Sequence, residues 1–221
     1  MFAKWRFERA LRSLQESDHA VLRDYANADW PERDCPATEA HYLALDFELD
    51  GLRKDAHLLQ AGWVPFADQS IALAGARSID IRSSAELDDI AVTIHGIGEQ
   101  RAAKGERLSD VIPQLIEALA GRVLVAHAVT IEHTALRRAT RKLYGIDLPI
   151  RCICTLALER HLKPNLVGAE AYRLGPVRQR YGLPEYRAHD ALTDAIAAAE
   201  LFYAQLSRLP NDVTLARLEQ S

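Results

Sequence analysis

Apolar residues recur along this chain with two different periods, and the change from one to the other divides it. Near the start, Phe7, Ala10, Leu11 and Leu14 stand three or four residues apart among Arg and Glu. That spacing predicts an amphipathic helix and differs from the continuous apolar run of a secretory signal. Pro31 and Pro36 interrupt further helix, so residues 1–37 read as a helical N-terminal extension. Its apolar face has two candidate uses: docking onto the rest of the chain, or meeting a protein partner or membrane surface.

From His41 the period falls to two. "HYLALDFEL", "HLLQAGWVPF" and "SIALAGARSIDI" read as three strands, the last two joined through the short polar "ADQ" as a hairpin. A helix follows in "LSDVIPQLIEALAG", with Ser109 expected at its N-cap and Gly121 at its stop. "RVLVAH" and "PIRCICT" read as short strands on either side of a helix in "TIEHTALRRATRKLYG". Helices over "LALERHL", "AYRLGPVRQRYG" and "AHDALTDAIAAAELFYAQLSRL" finish the pattern. In the last of these, Leu192, Ile196, Ala199, Phe202 and Leu206 are expected to face the core, and the alanines at 195 and 197–199 permit close approach to the sheet. Strands followed by alternating strand and helix imply an α/β fold, a mixed sheet with flanking helices. The main domain is assigned to residues 38–208 and a C-terminal tail to 209–221, with "QLSRLP" at 205–210 read as helix packing.

With 221 residues and 48% hydrophobic content, the chain is long enough for one substantial core. A net charge of −4 excludes a uniformly basic nucleic-acid coat. Three cysteines make no disulfide framework and suit a reducing compartment, so a cytoplasmic location is expected. Cys152 and Cys154 share a strand face with too few further ligands for zinc and are expected to be buried thiols. No apolar run approaches the ~20 residues that cross a bilayer, so no membrane partner is expected.

The first strand poses the chemical question, because it carries Asp46, Glu48 and Asp50 at every second position. Strand alternation points these acids to one face and Leu45, Phe47 and Leu49 to the other. Adjacent carboxylates repel unless one holds a proton or a cation lies between them. A solvated strand end explains such acids equally well until other residues answer to them. Two places do: "RVLVAHAVTIE" puts His127 and Glu132 at a strand-to-helix junction, and "HDALTD" puts His189 five residues before Asp194. In open α/β sheets, sites gather at strand carboxyl ends.

Taken together, these segments resemble the DEDDh group of 3′→5′ exonucleases, which includes the proofreading epsilon subunit of bacterial DNA polymerase III. The group's first motif, Asp-x-Glu-x-x-Gly, is matched by Asp46, Glu48 and Gly51. Its second, usually His-Asn-x-x-Phe-Asp, is matched loosely by His127 to Glu132, and its third, His-x-x-x-x-Asp, by His189 and Asp194. "IHGI" at 94–97 and "YRLGPVRQRYGLP" before the third motif add likeness, which covers about residues 40–205. The resemblance implies an RNase H-like fold with a five-stranded mixed sheet. It also implies two Mg²⁺ or Mn²⁺ ions held by Asp46, Glu48, Glu132 and Asp194, with His189 as general base. The implied substrate is the 3′ end of single-stranded DNA or RNA. Phe47, Leu49, His95, Gly96, Ile97 and His127 are the candidate substrate contacts.

The second motif departs from the pattern, with Ala128 for Asn, Ile131 for Phe and Glu132 for Asp. Glutamate keeps the charge but adds a methylene, so its carboxylate must fold back or the metal must move, and Mg²⁺ tolerates little geometric error. Retained catalysis is the favoured reading. An RNA-trimming enzyme of the same superfamily and a catalytically weakened nucleic-acid or protein-binding module are the alternatives. Between Arg137 and Asp190 there are eleven Lys/Arg against five Asp/Glu, a local excess suited to guiding a phosphodiester strand. No polymerase-tethering segment is recognised after residue 205, which favours a free-standing nuclease.

Overall fold

The computed structural model describes residues 2–51, 53, 56–83 and 87–219. Helices α1 (Phe2–Gln15) and α2 (Ala20–Ala26) precede strand β1 (Tyr42–Leu49) and its antiparallel partner β2 (Leu58–Ala67). Short strands β3 (Ser70–Ile71) and β4 (Arg77–Asp80) follow, then α3 (Asp89–His95), α4 (Glu99–Lys104) and α5 (Leu108–Leu119). The remaining order is β5 (Val123–Ala126), α6 (Thr130–Tyr144), β6 (Cys152–Cys154), α7 (Thr155–Leu162), α8 (Leu174–Arg180), α9 (Ala191–Leu206) and α10 (Leu215–Leu218).

The sheet runs β3-β2-β1-β5-β6, with β4 also on the outer edge of β2; β5 lies parallel to both β1 and β6. The expected third strand is therefore split in two across one sheet position. Pro65 explains the break: its carbonyl accepts from Ala72 N–H at 2.9 Å, but it has no N–H to return, and a 3₁₀ turn at Leu73–Gly75 fills the gap. The hairpin at "ADQ" forms as expected, with Asp68 and Gln69 both at positive φ, as its tight turn requires.

Strand alternation sends Leu43, Leu45 and Phe47 into one core with Trp63, Leu115, Leu119 and Leu136, against α5 and α6. Tyr42 and Ala44 enter a second core with Val64, Val125, Ala195, Ala199 and Phe202, against α9. Asp46 and Glu48 have the parity of that second face. The carboxylates thus look towards α9.

The N-terminal extension is not a free arm. Leu11, Leu14, Leu22 and Tyr25 complete the first core, and Tyr25 OH donates to Pro149 O at 2.6 Å. Of the two candidate uses of that helix, docking onto the rest of the chain is the one its Phe7, Leu11 and Leu14 make, while Trp5 stays exposed. Nor are residues 209–219 a loose tail: Ala37 N–H donates to Val213 O at 2.8 Å, and Glu219 accepts from Arg33 Nε and Arg151 Nε at 2.7 and 2.6 Å. Ser109 does not cap α5, which starts two residues earlier than that cap would allow, with Arg107 at the N-cap, while Gly121 ends it at φ 71°. Cys152 and Cys154 are buried free thiols, as expected. Among the described residues, no helix is long and apolar enough to cross a membrane.

Candidate active site

Four carboxylates converge at the carboxyl end of β1. Asp46 and Glu48 come from the strand, Glu132 from the first turn of α6, and Asp194 from the first turn of α9. Ligand atoms of Glu48, His189 and Asp194 lie within 4.8 Å of one another. Burial holds Asp46 well above the usual carboxylate range, and the charges of Glu132, Asp194 and Glu48 push it further. Burial also raises Glu48 to about 7, aided by Asp194 and Asp190, and Glu132 to about 8, aided by Glu48.

The backbone at Glu132 itself offsets part of that rise. One of its carboxylate oxygens, Oε2, is buried with no hydrogen-bond partner among the described residues. A buried carboxylate oxygen without a donor is costly. Hard oxygen donors, mutual repulsion and that orphaned atom together fit a shared divalent cation. Just before α6, Ala128 is held at φ 66°, a conformation more comfortable for Asn than for Ala.

Asp194 is aimed by two donors: Tyr186 OH to Oδ1 at 2.8 Å and His189 N–H to Oδ2 at 2.7 Å. His189 itself is exposed and sits at φ 65°, a backbone strain found at functional sites. Asp190 caps α9 through Thr193 N–H at 3.1 Å, and Gln60 Oε1 accepts from Ala191 N–H at 3.0 Å, tying the helix start to β2. Gly62 allows that approach, since a Cβ there would meet the Ala191 backbone carbon at 2.1 Å. Tyr186, Gln60 and Gly62 were not among the expected site residues. Glycine inside an apolar strand is the one sequence signal that pointed to any of them.

The candidate substrate contacts divide. Phe47 is 4% exposed in the first core, on the face of β1 away from the acids, and Ile97 is fully buried with Leu59, Leu87 and Ala102. Strand parity and packing remove both from the substrate side. His127 lines the cleft, but its ring nitrogens meet Thr155 Oγ1 at 2.9 Å and Tyr172 O at 2.8 Å, leaving neither for a ligand. Leu49 is half-buried at the rim beside Ile131. Gly96 is exposed; His95 is buried, accepts from Ile97 N–H at 3.0 Å and leaves Nε2 unpartnered among the described residues. Asp50 is not solvated but fully buried. A register shift between Glu48 and Leu49 turns it inward, where it accepts from His57 N–H at 2.7 Å and meets His57 Nδ1 at the same distance. Beside the acids, a cleft of about 950 Å³ is lined by Ile131, Arg173, Tyr186 and His189.

The raised carboxyls set a pH signature. Their folded values, about 7 and 8, exceed the ordinary 4.5, so the folded state binds more protons across that window. Stability of the metal-free protein is therefore fully present below the unfolded value and falls as pH rises through the folded ones. Thermal melts in EDTA are expected to drop by several degrees between about pH 6 and about pH 8.5, and millimolar Mn²⁺ is expected to restore more at the higher pH. An equal Mn²⁺ effect at both pH values would count against ion binding by these acids.

Comparison with known proteins gives a consistent picture. A family model described as Exonuclease, that of RNase_T, matches residues 43–202. The chain is 27% identical over 170 residues to a PolC-type DNA polymerase III of Thermotoga maritima, covering 74% of this chain and 12% of that protein. It is 28% identical over 102 residues to the DNA polymerase III subunit epsilon of Aquifex aeolicus, covering 46% of this chain and 49% of the subunit. The chain thus spans only a small part of its PolC-type relatives. Among solved structures, a zinc-bound complex of E. coli exonuclease I with single-stranded DNA has a TM-score of 0.65 at 17% identity, over 79% of this chain and 42% of that one. Exonuclease X in complex with 5′ overhanging duplex DNA has a TM-score of 0.60 at 23% identity, over 80% and 98%. The shared fold is that of RNase H-like exonucleases.

Proposed function

Because the chain belongs to the RNase_T exonuclease family, we propose that it removes nucleoside 5′-monophosphates from the 3′ end of single-stranded nucleic acid, DNA before RNA. The observation that carries this reading is the convergence of four carboxylates with an orphaned buried oxygen on Glu132. Asp46, Glu48, Glu132 and Asp194 would hold two Mg²⁺ or Mn²⁺ ions. Bound there, the ions supply positive charge for the phosphoryl oxygens and for the attacking water.

The protein's own groups do the rest. Tyr186 OH and His189 N–H fix both oxygens of Asp194, so the carboxylate keeps one orientation as substrate enters. The exposed imidazole of His189 stands close enough to Glu48 and Asp194 to take a proton from water at a ring nitrogen. Leu49 and Ile131 offer apolar surface against the terminal bases, with Gly96 giving close backbone approach. Against the binding-module alternative stands the full set of four acids, with Glu132 near enough to Asp46 for its charge to bear on it. A cytoplasmic location belongs to the same reading, and the polymerase relatives favour a DNA substrate.

The test compares a linear single strand with its closed circle. Mononucleotides are expected from the linear DNA strand alone, faster than from matched RNA. Cutting of the circle would replace the exonuclease reading with an endonuclease.

A further inference from the structure

The local excess of basic residues is not one surface. Arg137 and Arg141, neighbours on α6, both turn to Asp147, with Arg137 Nη2 at 2.6 Å from its Oδ2. Arg178 is buried against Glu200, and Arg180 reaches Glu159. Arg138 and Lys142 lie on a different face of α6, which continues Thr130 and Thr134 at four-residue spacing. This ridge starts two residues from Glu132 and runs about 18 Å, at ~1.5 Å per residue.

Facing the ridge are the β1–β2 connection and the segment after β4. Two cavities of about 210 and 460 Å³ lie between, and Arg138 lines both. Arg53 enters the first; His57, Arg82 and Lys142 enter the second. Asp50 pairs with Arg53 at 3.5 Å and with His57 Nδ1 at 2.7 Å, and Arg138 donates to Ala56 O across the groove, so the charge left for a ligand rests on Arg82 and Lys142. Arg82 spends one donor on Gly105 O at 3.0 Å, which leaves most of its guanidinium fork, and Lys142 is exposed. The apolar rim of the site, Leu49 and Ile131, lines the first cavity. Arg138 links the two cavities, and Ile131 links the first of them to the cleft that holds His189 and Asp194, so together they form one groove that runs from the candidate site along α6.

Resting on the exonuclease reading above, we propose that this groove along α6 binds the phosphodiester backbone upstream of the scissile bond. A groove of that length matches about five phosphates at the B-form spacing of ~3.4 Å per strand, and fewer for a stretched strand. It makes substrate length and salt, rather than base sequence, the determinants of affinity.

The test uses the full chain carrying Lys142→Glu with Arg82→Glu, and Lys142→Glu alone, at an exposed position, as a variant that leaves the fold intact. With a single-stranded 12-mer, the double variant is expected to raise KM about tenfold and change kcat less than twofold. Its salt dependence should be shallower by about one to two in log–log slope. Anisotropy of the labelled 12-mer in EDTA reads binding without catalysis, and a matching loss of affinity is expected. Equal affinity and equal salt slope in native and variant proteins would overturn the groove. Cleavage of the p-nitrophenyl ester of thymidine 5′-monophosphate by the native protein, a substrate with no upstream phosphate, tests the exonuclease reading separately. Failure there would remove that reading, while anisotropy would still decide the groove.

Discussion

Asp46→Asn is expected to lower exonuclease turnover by about three orders of magnitude or more and, at the same time, to raise the melting temperature of the metal-free protein. The two effects share one cause. Asp46 is opposed by its burial and by the charges of Glu132, Asp194 and Glu48, which hold its carboxyl well above the usual range. An amide of the same shape removes the repulsion but offers no anionic ligand to a cation. A gain of about 2–4 °C in EDTA is expected, together with loss of most Mn²⁺-induced stabilisation. Turnover on a labelled single strand and melts with and without metal check both halves. A variant that is inactive because it is unfolded would instead melt lower than the native protein.

Gly62→Ala is expected to cost about 3 kcal/mol of stability and roughly a hundredfold in activity, although residue 62 touches no substrate. Its Cβ would fall 2.1 Å from the backbone carbon of Ala191 and from the nitrogen of Leu192, where no flexible side chain can yield. The start of α9 is pinned at that point by the bond from Ala191 N–H to Gln60 Oε1, so the helix must shift as a unit. Asp194 and His189 would move with it. Denaturant unfolding and steady-state kinetics measure the two losses. Gly175→Ala, in open space on α8, is the control for stability and is expected to leave it unchanged.

The placement of the acids was legible because two simple periods fix it. Alternation along β1 settles which face Asp46 and Glu48 share, and the helical register of α9 sets Asp194 against that face. Features that depend on a partner far along the chain were not legible. The inward turn of Asp50 follows a register shift, and its partner His57 lies across the hairpin. The sorting of α6 cations depends on Asp147, which folds back from the next loop to neutralise Arg137 and Arg141, while Arg138 turns to Ala56 O and Lys142 stays exposed on the groove. Phe47 and Ile97 were placed by motif position, whereas their burial is decided by three-dimensional packing. The split of the third strand was not read either, because it depends on Pro65 of the neighbouring strand, whose missing N–H acts only once the two are paired.

Degradation of a 5′-labelled single-stranded oligonucleotide by the native protein, in EDTA and then with Mg²⁺ or Mn²⁺ restored, puts the shared-metal account at risk in one experiment. The account predicts no cleavage in EDTA and, with metal, a ladder shortening one nucleotide at a time from the 3′ end. Cleavage that persists in EDTA, or an intact strand with either metal, would contradict it.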